Sequence, residues 1–372
     1  MKRFMIFFLL IMLSFSTISC AVKPAEPLPE NSETEADTDT ELPPVVETSF
    51  PYVNEQLFHV KDGEALVIPF ELTEAGYFKF IAFDATEYEE YTDTYWDNMP
   101  EFQLAFYDES EHILHENISI TDGCDQAYFV DAETITAKIT YTGAVEHLTD
   151  IMLSWAFAPE STEAICVPLD QKVAAKSDET QTASFSFKAS ENALYRFSCF
   201  EACLWESDCY FTITNADGTV EADNVFMHGS EWYSRLVFLL EGEYVITVNE
   251  VPHMATCHVT LEESGDSIVT SNFDKVTLPV TLGFTTKTIT PFDLCFTADG
   301  SKENLCITTA GINSYYDYQQ SFDLLIKDST GNVILSEESV EGDGTWDLSD
   351  YSGEYTMTIT PHENGVMTIE LQ

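Results

Sequence analysis

Alternation of apolar and polar side chains dominates the chain beyond residue 60. Gly242-Glu243-Tyr244-Val245-Ile246-Thr247-Val248 returns as Gly353-Glu354-Tyr355-Thr356-Met357-Thr358-Ile359. Each copy follows an apolar-aromatic segment, and another alternating run follows each, past Pro252-His253 or Pro361-His362. A two-residue period describes a strand with one face buried, and the glycine ahead of it marks a turn. Earlier in each unit, Phe70 to Phe80 and Phe187 to Phe197 share one spacing of strand, polar turn and strand, and Phe296 to Ile307 repeats it with a longer turn. Hairpin signals follow at Asp108-Glu109-Ser110, Asn215-Ala216-Asp217-Gly218 and Asp328-Ser329-Thr330-Gly331, each after a short aromatic strand.

The unit returns after about 110 residues, which is domain length, and no long stretch carries a helical period. The pattern predicts an all-β chain of three tandem antiparallel β-sandwich, jelly-roll-like domains over residues 51–160, 161–266 and 267–372. Aromatic strand pair, Asp-Gly hairpin and Gly-Glu-Tyr strand together resemble the bacterial pre-peptidase C-terminal-type domains, small jelly rolls found at the ends of secreted peptidases. The resemblance covers most of residues 180–263 and 285–372, and residues 60–158 more weakly, because these lack the Gly-Glu-Tyr turn. It implies a non-catalytic, secreted module that binds or stabilises.

Residues 1–19 have the form of an export signal: basic Lys2-Arg3, an apolar run from Phe4 to Phe15, then small residues before a cysteine. The run is shorter than the roughly 20 residues of a membrane span. Thr17-Ile18-Ser19-Cys20 resembles the lipobox of bacterial lipoproteins, with Thr17 where that family prefers leucine. The resemblance implies that Cys20 takes a diacylglycerol and holds the chain to the outside of a bacterial membrane; plain secretion is the alternative. Residues 20–50 are rich in proline and carboxylates and poor in large apolar side chains, so they read as a disordered acidic tether. A flexible stretch of that length spans on the order of 30 Å.

Charge removes one class of function. With 15 basic and 65 acidic residues the net charge is −50, a field that repels phosphate backbones. Nucleic acid is therefore not a partner. Such acidity keeps exported proteins soluble; its alternative use is uptake of Ca²⁺ by clustered carboxylates. No other cofactor is expected.

Besides Cys20 there are eight cysteines. A two-residue hairpin loop at Gly300-Ser301 would set Cys295 opposite Cys306, within disulfide range. Cys203 and Cys209 bracket a loop and form a second candidate pair. Cys199 and Cys257 alternate with apolar residues and read as small core side chains. There is no Cys-x-x-Cys motif.

Among residues able to do chemistry, His112 and His115 fall three apart in a strand and face opposite ways. No Gly-x-Ser-x-Gly, His-Glu-x-x-His or phosphate-binding glycine loop occurs. Asp343 to Asp350 carries three carboxylates without EF-hand spacing and reads as a solvated turn. One feature recurs: an aromatic and acidic connection inside each unit. It holds Tyr91, Tyr95 and Trp96 in the first, Trp205 in the second, and Tyr315, Tyr316 and Tyr318 in the third. Aromatic faces beside carboxylates suit sugar rings; the competing reading is that they pack over a sandwich edge or a neighbouring domain. The expectation is a non-catalytic surface lipoprotein binding a glycan or a protein. A structural spacer or accessory subunit, and a secreted hydrolase, are the alternatives. Sequence leaves the oligomeric state open.

Overall fold

The computed structural model describes residues 46–48, 52–60, 64–85, 100–121, 123–131, 134–142, 150–204, 207–227, 233–263, 268–298, 304–312 and 320–372. Their regular structure is almost wholly strand, in three tandem sandwiches, with one 3-10 turn at Phe273–Lys275. The first is built from β1 (Val46–Thr48), β2 (Tyr52–His59), β3 (Leu66–Leu72), β4 (Gly76–Asp84), β5 (Glu101–Asp108), β6 (Ile113–Ser119), β7 (Tyr128–Val130), β8 (Thr134–Thr142) and β9 (Asp150–Pro159). One sheet runs β1-β3-β8-β5-β6 and the other β2-β9-β4-β7.

The second sandwich has β10 (Ile165–Cys166), β11 (Lys172–Lys176), β12 (Ala183–Ala189), β13 (Ala193–Glu201), β14 (Cys209–Asn215), β15 (Val220–Met227), β16 (Arg235–Leu239), β17 (Gly242–Asn249) and β18 (Met254–Glu263). Its sheets, β10-β12-β17-β14-β15 and β11-β18-β13-β16, repeat the first order with every label advanced by nine. The third has β19 (Ile268–Val269), β20 (Val280–Phe284), β21 (Phe292–Ala298), β22 (Asn304–Gly311), β23 (Ser321–Asp328), β24 (Val333–Glu341), β25 (Gly344–Asp347), β26 (Gly353–Pro361) and β27 (Gly365–Leu371). It departs from the plan in one strand. β1 and β10 run parallel to the third strand of their units, whereas β19 runs parallel to β20, in the other sheet. There Ile268 reaches the apolar contact between the second and third sandwiches.

Each sandwich closes over its own core, with inward residues from both sheets: Phe70, Phe78, Phe106 and Trp155 in the first, Phe185, Phe197, Phe211 and Ile246 in the second, and Phe284, Leu294, Phe322 and Met357 in the third. The Gly-Glu-Tyr motif has a structural use. The Tyr244 hydroxyl donates to the Leu240 carbonyl at 2.9 Å, and the Tyr355 hydroxyl to Ser352 at 3.3 Å, tying each strand to the turn that precedes it. Each sixth strand carries a bulge with positive φ, at Asn117, Asn224 and Ser339.

The polar turn near the start of each unit is not a hairpin. β3 and β4, β12 and β13, and β21 and β22 lie in opposite sheets, so the turn carries the chain across the core. This overturns the geometry expected for Cys295 and Cys306. Cys295 is paired with Thr356 in one sheet and Cys306 with Glu370 in the other, and both thiols are free. Cys203 and Cys209 are also both thiols; the Cys203 thiol points to the Lys79 carbonyl and that of Cys209 to the Cys199 carbonyl.

The sandwiches pack on one another. Between the first and second lie Ala156, Ala158, Ala174, Ala202 and Met254; the four alanines let the sheets approach closely. The Lys79 ammonium crosses this contact to Glu201 at 2.6 Å. Lys176 sits over the Tyr77 ring. Between the second and third, Phe238 lies against Gly283, where any Cβ would meet the ring at 2.3 Å. The Asn364 amide accepts from the Phe238 N–H at 2.7 Å and donates to the Phe238 carbonyl at 2.9 Å, completing the free edge of β16.

Candidate functional site

All seven aromatic residues singled out in the connections (Tyr91, Tyr95, Trp96, Trp205, Tyr315, Tyr316 and Tyr318), and Cys20, lie outside the described residues. What the structure does show is where the connections leave the sheets. Each joins the fourth strand of a unit to the fifth, from one sheet to the other. Beside the second, Leu204 bridges to Gly123 of the first sandwich. At the start of the third, Ile312 packs on the core of the second.

A different aromatic and acidic arrangement is formed by described residues, at the open edge of the third sandwich. β24 and β25 are the edge strands of its two sheets. Between them an open groove of about 370 Å³ is lined by Glu337, Glu338, Ser339, Val340, Gly344, Thr345 and Trp346. A second recess of about 220 Å³ adjoins it, lined by Ile334, Leu335, Trp346, Asp347, Leu348 and Tyr351. Trp346 is common to both. Its ring meets Phe322 edge-on with centroids 6.3 Å apart, so the core holds one side of the indole and the rest faces the recesses.

Gly344 makes this pose possible. Trp346 stands two residues on, on the same side of the strand, and its ring folds back over the glycine; a Cβ there would lie 2.1 Å from the indole. The bulge at Ser339 sets the acidic rim. Ser339 has φ 53, and its N–H donates to Asp323 at 2.9 Å. That bond, and next the His362 ring, hold the Asp323 carboxyl below its usual range. Asp347 is lowered likewise by the Ser349 side chain and N–H, so both are firmly anionic. Glu337 and Glu338 are exposed beside the indole. The site thus offers a fixed aromatic surface, carboxylate acceptors and the Ser339 hydroxyl, while the Thr345 hydroxyl turns away toward the Cys306 thiol. That set suits a polyhydroxylated ligand stacked on the ring.

Two other clusters have structural partners. Ser321, His362 and Asp323 fall in line, with 3.2 Å from the Ser321 hydroxyl to His362 Nδ1 and 3.2 Å from His362 Nε2 to Asp323. The order is that of a hydrolytic triad, but Ser321 is buried and its hydroxyl lies 3.0 Å from both Glu363 carboxylate oxygens, one of which, Oε2, also accepts its N–H. The group braces the turn between β26 and β27. His112 turns to Asp108 and His115 to the Phe129 carbonyl, so the pair does not converge. Among the described residues no three His, Cys, Asp or Glu side chains gather as a metal site. In the Asp343 to Asp350 stretch, Asp343 accepts the Thr309 N–H and Asp347 that of Ser349. The notable residue of that stretch is Trp346, which sequence reasoning passed over; the signal was a tryptophan two positions after a glycine in an otherwise polar run.

No protein-family model and no curated protein matches the chain. Among solved structures, tripeptidyl peptidase 2 aligns over 86% of this chain and 33% of that one, with 8% identity and a TM-score of 0.21. The chain therefore spans about a third of that peptidase's length. The X-ray structure of the entire lipid-containing bacteriophage PM2 aligns over 86% of both chains, with 12% identity and a TM-score of 0.14. The stem and receptor-binding domain of the PM2 spike protein P1 aligns over 53% of this chain and 79% of that one, at 14% identity and a TM-score of 0.10. At such scores none of these likenesses bears on function.

Proposed function

We propose that the chain is a non-catalytic, lipid-anchored protein of a bacterial cell surface that binds a glycan in the groove around Trp346. The observation that carries this is the indole itself, fixed by Phe322 and Gly344 and flanked by Glu337, Glu338 and Ser339. An aromatic face set beside hydrogen-bond acceptors recognises sugar rings by stacking and by taking hydroxyl protons. The anchor is supported by the leader and by Cys20, and secretion by the acidic charge. The resemblance to pre-peptidase C-terminal-type domains fits an exported, non-catalytic role.

Titration of the full chain with neutral, amino and acidic polysaccharides, read by calorimetry, tests the site. Binding that Trp346→Ala weakens at least tenfold supports it; no binding across the panel, or binding indifferent to Trp346, sinks it. Fatty-acid labelling that Cys20→Ala abolishes tests the anchor; labelling that survives the substitution, or none in the unaltered chain, refutes it. A second reading, as a rigid spacer, is favoured by the buried Lys79–Glu201 pair and the Asn364 clamp, which hold neighbouring sandwiches in one register. A chain that binds nothing but whose shortening by one sandwich impairs the surface assembly would select it.

A further inference from the structure

In the core of the second sandwich two cysteines stand side by side. Cys199 on β13 and Cys257 on β18 are directly opposed in the antiparallel ladder. Both are fully buried, and their sulfurs are 3.6 Å apart. Opposed residues in such a ladder have Cα atoms roughly 4.5–5.5 Å apart, inside the span of a disulfide. Small side-chain rotations bring the sulfurs to bonding distance, with no change of register. We propose that Cys199 and Cys257 are joined by a cross-strand disulfide in the mature protein, formed by exchange with an external disulfide while the second sandwich folds.

The step balances as two displacements. One protein thiolate attacks a sulfur of an external disulfide RSSR, expels RS⁻ and leaves a mixed disulfide. The second protein thiolate attacks the protein sulfur of that mixed disulfide and expels the other RS⁻. Two protein thiols are oxidised, one RSSR becomes two RSH, and the protons lost by the protein thiols end on the two leaving thiolates. Exchange needs a thiolate, and in the closed core the Cys257 thiol, then burial, hold the Cys199 thiol far above its usual range. Oxidation therefore belongs to the folding chain, and the folded, reduced form resists it. The third buried thiol of this core, Cys209, is turned away toward the Cys199 carbonyl at 3.1 Å. The partners lie 58 positions apart, so the link restrains much of the unfolded sandwich.

The inference rests on the reading of an exported chain, where external disulfides are at hand, but not on the ligand or the lipid, and its test needs none of them. The purified full chain is unfolded, refolded in a glutathione–glutathione disulfide buffer, alkylated and mapped by peptide mass. The expected result is a single linked peptide pair holding Cys199 and Cys257, lighter by two hydrogens than the reduced pair. The unfolding midpoint then falls by roughly 10 °C on reduction, and Cys199→Ser/Cys257→Ser abolishes that difference while Cys209→Ser leaves it. If the chain does not refold, the same map is run on folded protein held in glutathione disulfide under mild denaturant. Full alkylation of Cys199 and Cys257 in these conditions, or either of them linked to another cysteine, overturns the proposal.

Discussion

Lys79 of the first sandwich and Glu201 of the second meet at 2.6 Å with their side chains 0% and 7% exposed. The contact joins residues 122 positions apart beside the apolar patch of Ala156, Ala158, Ala174, Ala202 and Met254. Removing one partner strands a buried charge, a loss of about 3–5 kcal/mol, whereas replacing both by apolar side chains of similar volume is often close to neutral. Lys79→Met and Glu201→Leu are each expected to lower stability by that amount, and the double variant to recover most of it. A double-mutant cycle from urea unfolding measures this; simple additivity would show that the pair does not couple the two sandwiches.

Asn364 is the corresponding fixture between the second and third. Its amide serves both backbone groups of Phe238 and leans toward Glu221 at 3.4 Å, while Glu221 also accepts from the Thr286 N–H and hydroxyl. Asn364→Ala leaves the Phe238 N–H and carbonyl buried without this partner, at about 1–3 kcal/mol for each group. Limited proteolysis is expected to cut between these sandwiches in the variant well before it does so in the parent. Equal cutting rates would mean that the clamp is dispensable.

Much of this fold was legible in the chain. The alternation in Phe78-Lys79-Phe80 correctly separates inward from outward positions, since Phe78 and Phe80 lie in the core. It cannot say what covers the outward side, because the period of a strand is local and Glu201 is distant; Lys79, on that outward side, is fully buried. The turn before Cys306 failed for a related reason. A polar loop between two strands has the same composition whether they pair in one sheet or face each other across a core. Trp346 was missed because its neighbours are those of a solvated turn, and only the fold brings β24 beside it.

Acid is expected to weaken the fold in two stages. Burial, and then the Lys79 charge, lower the affinity of His253 for a proton below its ordinary 6.5. The unfolded chain therefore binds the proton first, and stability falls as pH drops below about 6.5. Turn aspartates act lower down. The Thr330 hydroxyl, then Asn332, hold Asp328 at about 2, against an ordinary 3.8; Asp108, Asp178, Asp217, Asp323 and Asp347 are lowered too. A depressed carboxyl contributes fully above its unfolded value, and that contribution is lost as pH falls through the folded one. Urea midpoints measured from pH 8 to pH 2 are expected to decline modestly near 6 and again below 4. His253→Gln is expected to remove only the first decline; a profile flat between 8 and 5 in the parent contradicts the role given to His253.

Gly344 offers a test of the groove that leaves the indole in the chain. A Cβ at this position would lie 2.1 Å from the far end of the Trp346 ring, and the side chain gives way more easily than the hydrogen-bonded backbone. Gly344→Ala must therefore lift the ring away from its seat against Phe322. Overpacking of this kind costs about 1–3 kcal/mol, and the third sandwich alone is expected to register it. If Trp346 is a stacking platform, the same substitution lowers affinity for the glycan identified in the panel about as far as Trp346→Ala does, because a platform acts only in its fixed pose. Thr345→Ala, whose side chain points to the opposite side of β25, is expected to cost less than either. Affinity unchanged in Gly344→Ala, with the stability loss still present, would separate the groove from binding and leave Trp346 as a piece of the sandwich edge.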